Sequence, residues 1–94
     1  MKNMDKIKLI YYPERMILLN FISNHSGIIK SKIAHKMEKP FSFISKITIS
    51  FEKIGLIRCE KKGRDVIVSM TPRGIELAKH IQEIMDVDFK EDSQ

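Results

Sequence analysis

The chain has 94 residues, 43% of them hydrophobic, enough for one compact domain with a modest core and too few for a second independently folded one. It carries 17 Lys or Arg against 12 Asp or Glu, a net +5, and the excess is uneven: residues 28–64 hold ten basic and three acidic side chains, residues 65–94 three and seven. Such a basic middle suits a nucleic-acid surface as well as an ordinary solvated face, while a single cysteine excludes an intrachain disulfide or a multi-cysteine zinc knuckle, and no apolar run approaches the 18 residues of a membrane span.

In chain order, residues 1–12 are expected to be an N-terminal extension, polar over 1–6 and apolar enough over 7–12 to pack against the body. The opening MKNMDKIKLIYYP lacks the long apolar core of a secretion signal, so the expected location is cytoplasmic. Residues 13–88 are expected to form the single domain and 89–94 a polar tail. Pro13 suits the first turn of a helix, and Glu14 matches the charge preference of that end. Met16, Ile17, Leu19, Phe21 and Ile22 give this helix an apolar surface through Ser23, and Asn24, His25, Ser26 and Gly27 stop it.

Gly27-Ile28-Ile29 is too short for a sheet of its own but long enough for a small third strand. Ser31 is a plausible N-cap for a second helix through Met37, with Ile33, Ala34 and Met37 on one buried face and Lys30, Lys32 and Lys36 outside. Lys39-Pro40 interrupts it, because proline disfavours helical geometry in the residue before it. A third helix is expected over 40–54 with Gly55 as its C′ residue. Ile44, Ile47, Thr48, Phe51 and Ile54 recur at the spacing of an inward stripe, which leaves Ser42, Phe43, Ser45, Lys46, Ile49, Ser50 and Lys53 on the outer or boundary face. Phe43 and Ile49 there require DNA methyl or sugar contacts, a protein partner or a rotated face.

Residues 56–59 and 66–70 are the strand candidates, joined as a hairpin through Glu60-Lys61-Lys62-Gly63-Arg64-Asp65, with Gly63 able to take positive φ. Thr71 is the expected N-cap of the last helix, Pro72 its N1 residue, and Gly74 a point of close packing. Ile75, Leu77, Ala78, Ile81, Ile84 and Met85 exceed what one side of such a helix need bury, so part of that surface is expected to meet another subunit. The fold class is therefore α+β and predominantly helical, with a small antiparallel sheet and a basic wing.

Two short helices with a tight break between them, followed by a basic hairpin, have a direct physical use. The second helix enters the major groove, about 12 Å wide, while the first braces it on the backbone and the hairpin tip reaches phosphate or the minor groove. Lys46 and Lys53 suit phosphates, and Lys46 a purine edge as well. Ser42 and Ser45 can bond to phosphate or bases near a helix N-terminus that itself favours anions. Arg64 fits a narrow minor groove, Lys61 and Lys62 need only phosphate proximity, and Lys30, Lys32 and Lys36 add contacts from the supporting helix.

Residues 28–78 resemble a winged helix-turn-helix of the MarR-like regulator group. SKIAHKM resembles the support helix, and SFISKITISFEKIGLI the recognition helix with its closing glycine and following strand. VIVSMTPRGIELA resembles the second wing strand running into a Thr-x-x-Gly helix start. The resemblance implies that Ser42, Phe43, Ser45 and Lys46 meet DNA and that Arg64 enters or borders the minor groove. MarR-like proteins commonly dimerise through longer terminal helices and often hold a ligand cavity. This chain has little sequence outside the winged core and a short wing, so no ligand or oxidant response is carried over.

Other chemistry finds little support. His25, His35 and His80 lie in separate elements without metal-ligand spacing, and no metal or cofactor is expected. Cys59 is expected to be an unexceptional thiol, with redox sensing the minor alternative. Asp86, Asp88, Glu91 and Asp92 read as solvated charge, Tyr11 and Tyr12 as core or interface, and no nucleophile, base and orienting group fall together, so no enzyme is expected. The leading expectation is a sequence-specific double-stranded DNA-binding regulator, homodimeric through its terminal segments, that represses by occupying a promoter. A winged-helix protein interaction module and a nonspecific architectural DNA binder are the alternatives.

Overall fold

The computed structural model describes residues 12–87; the expected packing of stretch 7–12, apart from Tyr12, and the expected tail 89–94 lie outside them, as do Tyr11, Asp88, Glu91 and Asp92. Among the described residues four helices and three strands follow in the order α1 (Pro13–Asn24), β1 (Ile28–Ile29), α2 (Lys30–Met37), α3 (Phe41–Lys53), β2 (Ile57–Lys62), β3 (Asp65–Met70) and α4 (Pro72–Met85). The strands form one antiparallel sheet in the order β1-β3-β2, with Ile28 opposite Val68 and Cys59 opposite Val68 on the other side. The helices supply most of the core: Leu18, Leu19, Ile22, Ile33, Ile44, Ile47 and Phe51 are buried together, and Leu56, Ile57, Val68 and Ile81 close the cluster.

The inward stripe of α3 is as its spacing predicts. Ile44, Ile47, Thr48 and Phe51 are all buried, while Ile54, the C-cap just past the helix, is half-buried against the core, and the Thr48 hydroxyl is accommodated there because it donates to the carbonyls of Ile44 and Ser45 at 2.9 and 3.0 Å. On α1 the buried face is Leu18, Leu19 and Ile22, with Met16 and Phe21 half-buried against it; Ile17, expected on the apolar surface, is 47% exposed, and Leu18 takes its place. On α2 the chain turns helical earlier than expected. Ile29 is the N-cap and Ser31 lies inside the helix, so no side chain caps this end. That shift carries Lys30 to the inner side, where it is 7% exposed, instead of outside with Lys32 and Lys36. Glu38, in the left-handed region at φ 56°, ends α2, and the Lys39 amide reaches back to the Ala34 carbonyl at 3.0 Å, a Schellman-type closure made without glycine.

The wing is more regular than the sequence suggests. Glu60, Lys61 and Lys62 extend β2 rather than forming a loop, Lys62 pairs with Asp65, and only Gly63-Arg64 remains as the turn. Gly63 has φ 61° and Arg64 does not share the positive φ, the pattern of a type II′ hairpin with glycine at its first central position.

A dense knot lies where α3, β2, β3 and α4 converge. Gly55 follows the α3 C-cap Ile54, and its carbonyl accepts a 2.6 Å hydrogen bond from the Thr71 hydroxyl. That same hydroxyl oxygen accepts from the Gly74 amide at 3.0 Å, capping α4 as predicted. The Thr71 amide donates to the Leu56 carbonyl at 3.1 Å. A Cβ on residue 74 would overlap the Leu56 carbonyl oxygen and sit 2.9 Å from its carbon, so the close packing expected of Gly74 is a backbone contact that only glycine permits.

Two substitutions test this knot. Gly74→Ala is expected to lower unfolding free energy by about 1–3 kcal/mol, as overpacking against an immobile group does. Thr71→Ala is expected to cost about 1 kcal/mol, with Thr71→Ser retaining most of the stability. Urea unfolding measures both, and an unchanged midpoint for Gly74→Ala would contradict the close approach.

Candidate nucleic-acid interface

The outer face of α3 follows from its buried one. At about 100° per residue, Ser42, Lys46, Ile49 and Lys53 fall within a sector of about 60° opposite the Ile44-Ile47-Thr48-Phe51 stripe. All four are exposed. Ser45 lies nearer the boundary and is half-buried. Phe43 falls on the other flank, half-buried against the core cluster with the Lys39 ammonium 5.4 Å from its ring centroid. Phe43 thus packs at the domain's edge.

The wing residues Lys61, Lys62 and Arg64 are exposed, as are Lys32 and Lys36 on α2. Alternation along β2 places Arg58, Glu60 and Lys62 on one face, where Asp65 stands across from Lys62, and places Lys61 on the other face beyond Ile57 and Cys59. The two wing lysines therefore have different surroundings: Lys62 shares its face with two carboxylates and Lys61 does not. Lys30 belongs to neither basic face. Its influence reaches the Cys59 thiol, where its charge partly offsets other effects on that group.

Two polar contacts that hold this surface together escape a sequence reading. The Glu52 carboxylate, on the last turn of α3, accepts a 3.1 Å hydrogen bond from the Cys59 amide. Within the described sheet β2 lies at an edge, so Glu52 satisfies an edge amide and fixes the wing beside the outer face of α3. The one available signal is that Glu52 is among only three acidic residues within the basic stretch 28–64. At the other end of α3, Lys39 donates to Glu14 of α1 at 3.1 Å, spanning a small apolar cleft of about 120 Å³ lined by Ile17, Leu18, Met37, Phe43 and Ile44. That volume is well below the roughly 300–1,000 Å³ of typical small-molecule sites.

Burial, then the Glu52 carboxylate, pushes the Cys59 thiol above its ordinary range, with Lys30 opposing. The thiolate needed for redox chemistry is thus disfavoured at neutral pH. His25, His35 and His80 are exposed, and among the described residues no group of three or more His, Cys, Asp or Glu is placed to hold a metal ion. None of the described helices is long and apolar enough to cross a membrane. On α4, Ala78 and Ile81 are buried and Leu77 is half-buried, while Ile84 and Met85 carry the stripe a turn further into solvent, at 54% and 48% exposure. Ile75, also exposed, lies on a different side of the helix, so the apolar surplus is less continuous than its sequence suggests.

No family model matches the chain. An uncharacterized protein of Archaeoglobus fulgidus is 29% identical over 87 residues, covering 88% of this chain and 92% of that one. A crystal structure from the same organism superposes with a TM-score of 0.72 at 28% identity, over 88% of this chain and 99% of the other. MepR, a transcription regulator of the Staphylococcus aureus multidrug efflux pump MepA, matches with a TM-score of 0.75 at 20% identity over 89% of this chain, and MepR in complex with DNA with 0.74 at 18% over 87%. The chain spans 64% of the length of either MepR structure. The fold is the winged helix-turn-helix of MarR and MepR regulators.

The Glu52 contact has two measurable consequences. Glu52→Ala should accelerate hydrogen exchange at the Cys59 amide, with Glu52→Gln accelerating it less because an acceptor remains. Cys59 should alkylate slowly at pH 7 and gain rate only above the ordinary thiol range, a profile that Glu52→Gln shifts to lower pH by removing a negative charge. Identical exchange and pH profiles in all three proteins would contradict the contact.

Proposed function

We propose that the protein is a sequence-specific double-stranded DNA-binding transcription regulator, with α3 in the major groove and the wing tip on adjacent backbone or minor groove. The observation that carries this reading is the exposed sector of α3, where Ser42, Lys46 and Lys53 line up on the side away from the core. Glu52 ties β2 of a second basic element, the wing, to the last turn of α3 through the Cys59 amide. The likeness to MepR, which has been crystallised with DNA, supports it.

In this mechanism phosphate contacts place the domain and base contacts select the site. Lys53, Lys61, Lys62, Lys32 and Lys36 supply phosphate neutralisation, Lys61 more effectively than Lys62 because fewer carboxylates surround it. Ser42, Ser45 and Lys46 face base edges or the flanking phosphates, and Arg64 at the turn reaches the minor groove. Lys30, buried at the start of α2, is withdrawn from the contact set, and Phe43 acts by seating the N-terminal part of α3. Regulation is by occupancy, which makes repression the expected outcome. The protein acts as a homodimer, the overhanging Ile84 and Met85 at the end of α4 supplying apolar surface for a second copy.

Selection from a random duplex library, followed by competition at physiological salt, tests the assignment. A preferred sequence should emerge, bound at least about a thousandfold more tightly than unrelated duplex. Lys61→Ala should weaken all duplexes alike and reduce the log–log salt slope by about 0.9, whereas Lys46→Ala should also reduce the preference. Equal affinity for unrelated duplexes would leave an architectural binder, and no binding at low salt would leave a protein interaction module. For the dimer, sedimentation should show a concentration-dependent mass that Ile84→Lys shifts towards monomer; a constant monomer mass with and without DNA overturns it.

A further inference from the structure

We propose that Ile49 is a specificity-determining residue whose side chain reads the 5-methyl group of a thymine in the major groove, an inference that rests on the DNA-binding assignment above. Ile49 is 47% exposed, although Ile44 and Ile47 of the same helix are 0% and 3% exposed. It lies in the outward sector of α3, between Lys46 three residues before and Lys53 four residues after along the helix, and one face-repeat on from Ser42. Among the described residues the other exposed aliphatic side chains, Ile17, Ile75, Ile84, Met85 and Val87, belong to α1, α4 and the end of α4. Ile49 alone among them is bracketed by cations on both sides.

That setting restricts the occupant. A face flanked by lysines attracts a polyanion and disfavours an ordinary apolar protein surface, which would have to desolvate both ammonium groups. Isoleucine is also a weaker helix former than the lysine, glutamate or glutamine usual at a solvated position. Its side chain offers no hydrogen bond, so its partner must be apolar, and the apolar group that base edges present in the major groove is the thymine methyl.

The helix geometry fixes where that contact falls. At 1.5 Å per residue, Lys46 and Lys53 are about 10 Å apart along the helix axis, with Ile49 between them. A phosphate contact at Lys53 and a base or phosphate contact at Lys46 would keep Ile49 over a defined base step between them, while Ser45 addresses bases one turn, and Ser42 two turns, towards the N-terminus.

The test uses the full chain and the duplex it selects from a random library. Each thymine is replaced singly by deoxyuridine, which removes only the methyl group. Wild-type protein should lose about three- to fivefold in affinity at one or two positions, the size of one buried methyl, and be indifferent elsewhere. Ile49→Ala should bind the parent duplex more weakly and lose the thymine–deoxyuridine difference at those positions, while Ile49→Val keeps most of it; thermal midpoints confirm that both variants are folded. Indifference of the wild type to every deoxyuridine, or an unchanged ratio in Ile49→Ala, overturns the role of Ile49 and leaves DNA binding standing. Failure to enrich any duplex overturns both, and loss of self-association in Ile49→Ala in that event assigns this face to a second copy.

Discussion

The structure depends on the approach of Gly74 to the Leu56 carbonyl. It brings the start of α4 onto the segment that leaves α3, and Thr71 secures it through three hydrogen bonds: its hydroxyl joins the Gly55 carbonyl to the Gly74 amide, and its own amide takes the Leu56 carbonyl. These bonds pair backbone groups where the chain reverses between a helix, a hairpin and another helix. The orientation of α3 is fixed at its C-terminal end, and the two strands of the wing are anchored at their base.

From that anchor the outer surface follows. The buried stripe of α3 sets its rotation, so the sector with Ser42, Lys46, Ile49 and Lys53 must face away from the core. Glu52 then joins the helix to the edge of β2, and Lys39 joins its N-terminal flank to α1 through Glu14. Both links use charged groups near solvent, where such contacts contribute little stability. Their effect is positional: they keep a basic helix face and a basic wing in one arrangement without adding to the core.

Much of this was legible in the sequence because it rests on local rules. The period of Ile44, Ile47, Thr48 and Phe51 located the core face, Gly55 ended the helix, and the Thr-Pro-x-Gly run named both the cap and the close contact of α4. The errors have equally local causes. Ser31 looked like a cap because serine favours that role, yet the strand Ile28–Ile29 commits the backbone earlier, and Lys30 turns inward in consequence. The charged run 60–62 looked like a loop because lysine and glutamate are weak strand formers, but pairing with the apolar residues of β3 overrides that preference. On α1, Ile17 and Leu18 are equally apolar neighbours, and only packing against the other helices decides between them. Glu52 and Lys39 were invisible as links because their partners lie on separate elements, and a sequence shows charge without direction.

The central claim is that the outward sector of α3 and the wing tip form one DNA-reading surface. Amide chemical-shift mapping with the selected duplex tests it most directly. The account predicts the largest changes at Ser42, Ser45, Lys46, Ile49 and Lys53 and at Gly63 and Arg64, with small ones at Ile75, Ile84 and Met85 of α4. Changes concentrated on α4 with α3 and the wing unperturbed would contradict it.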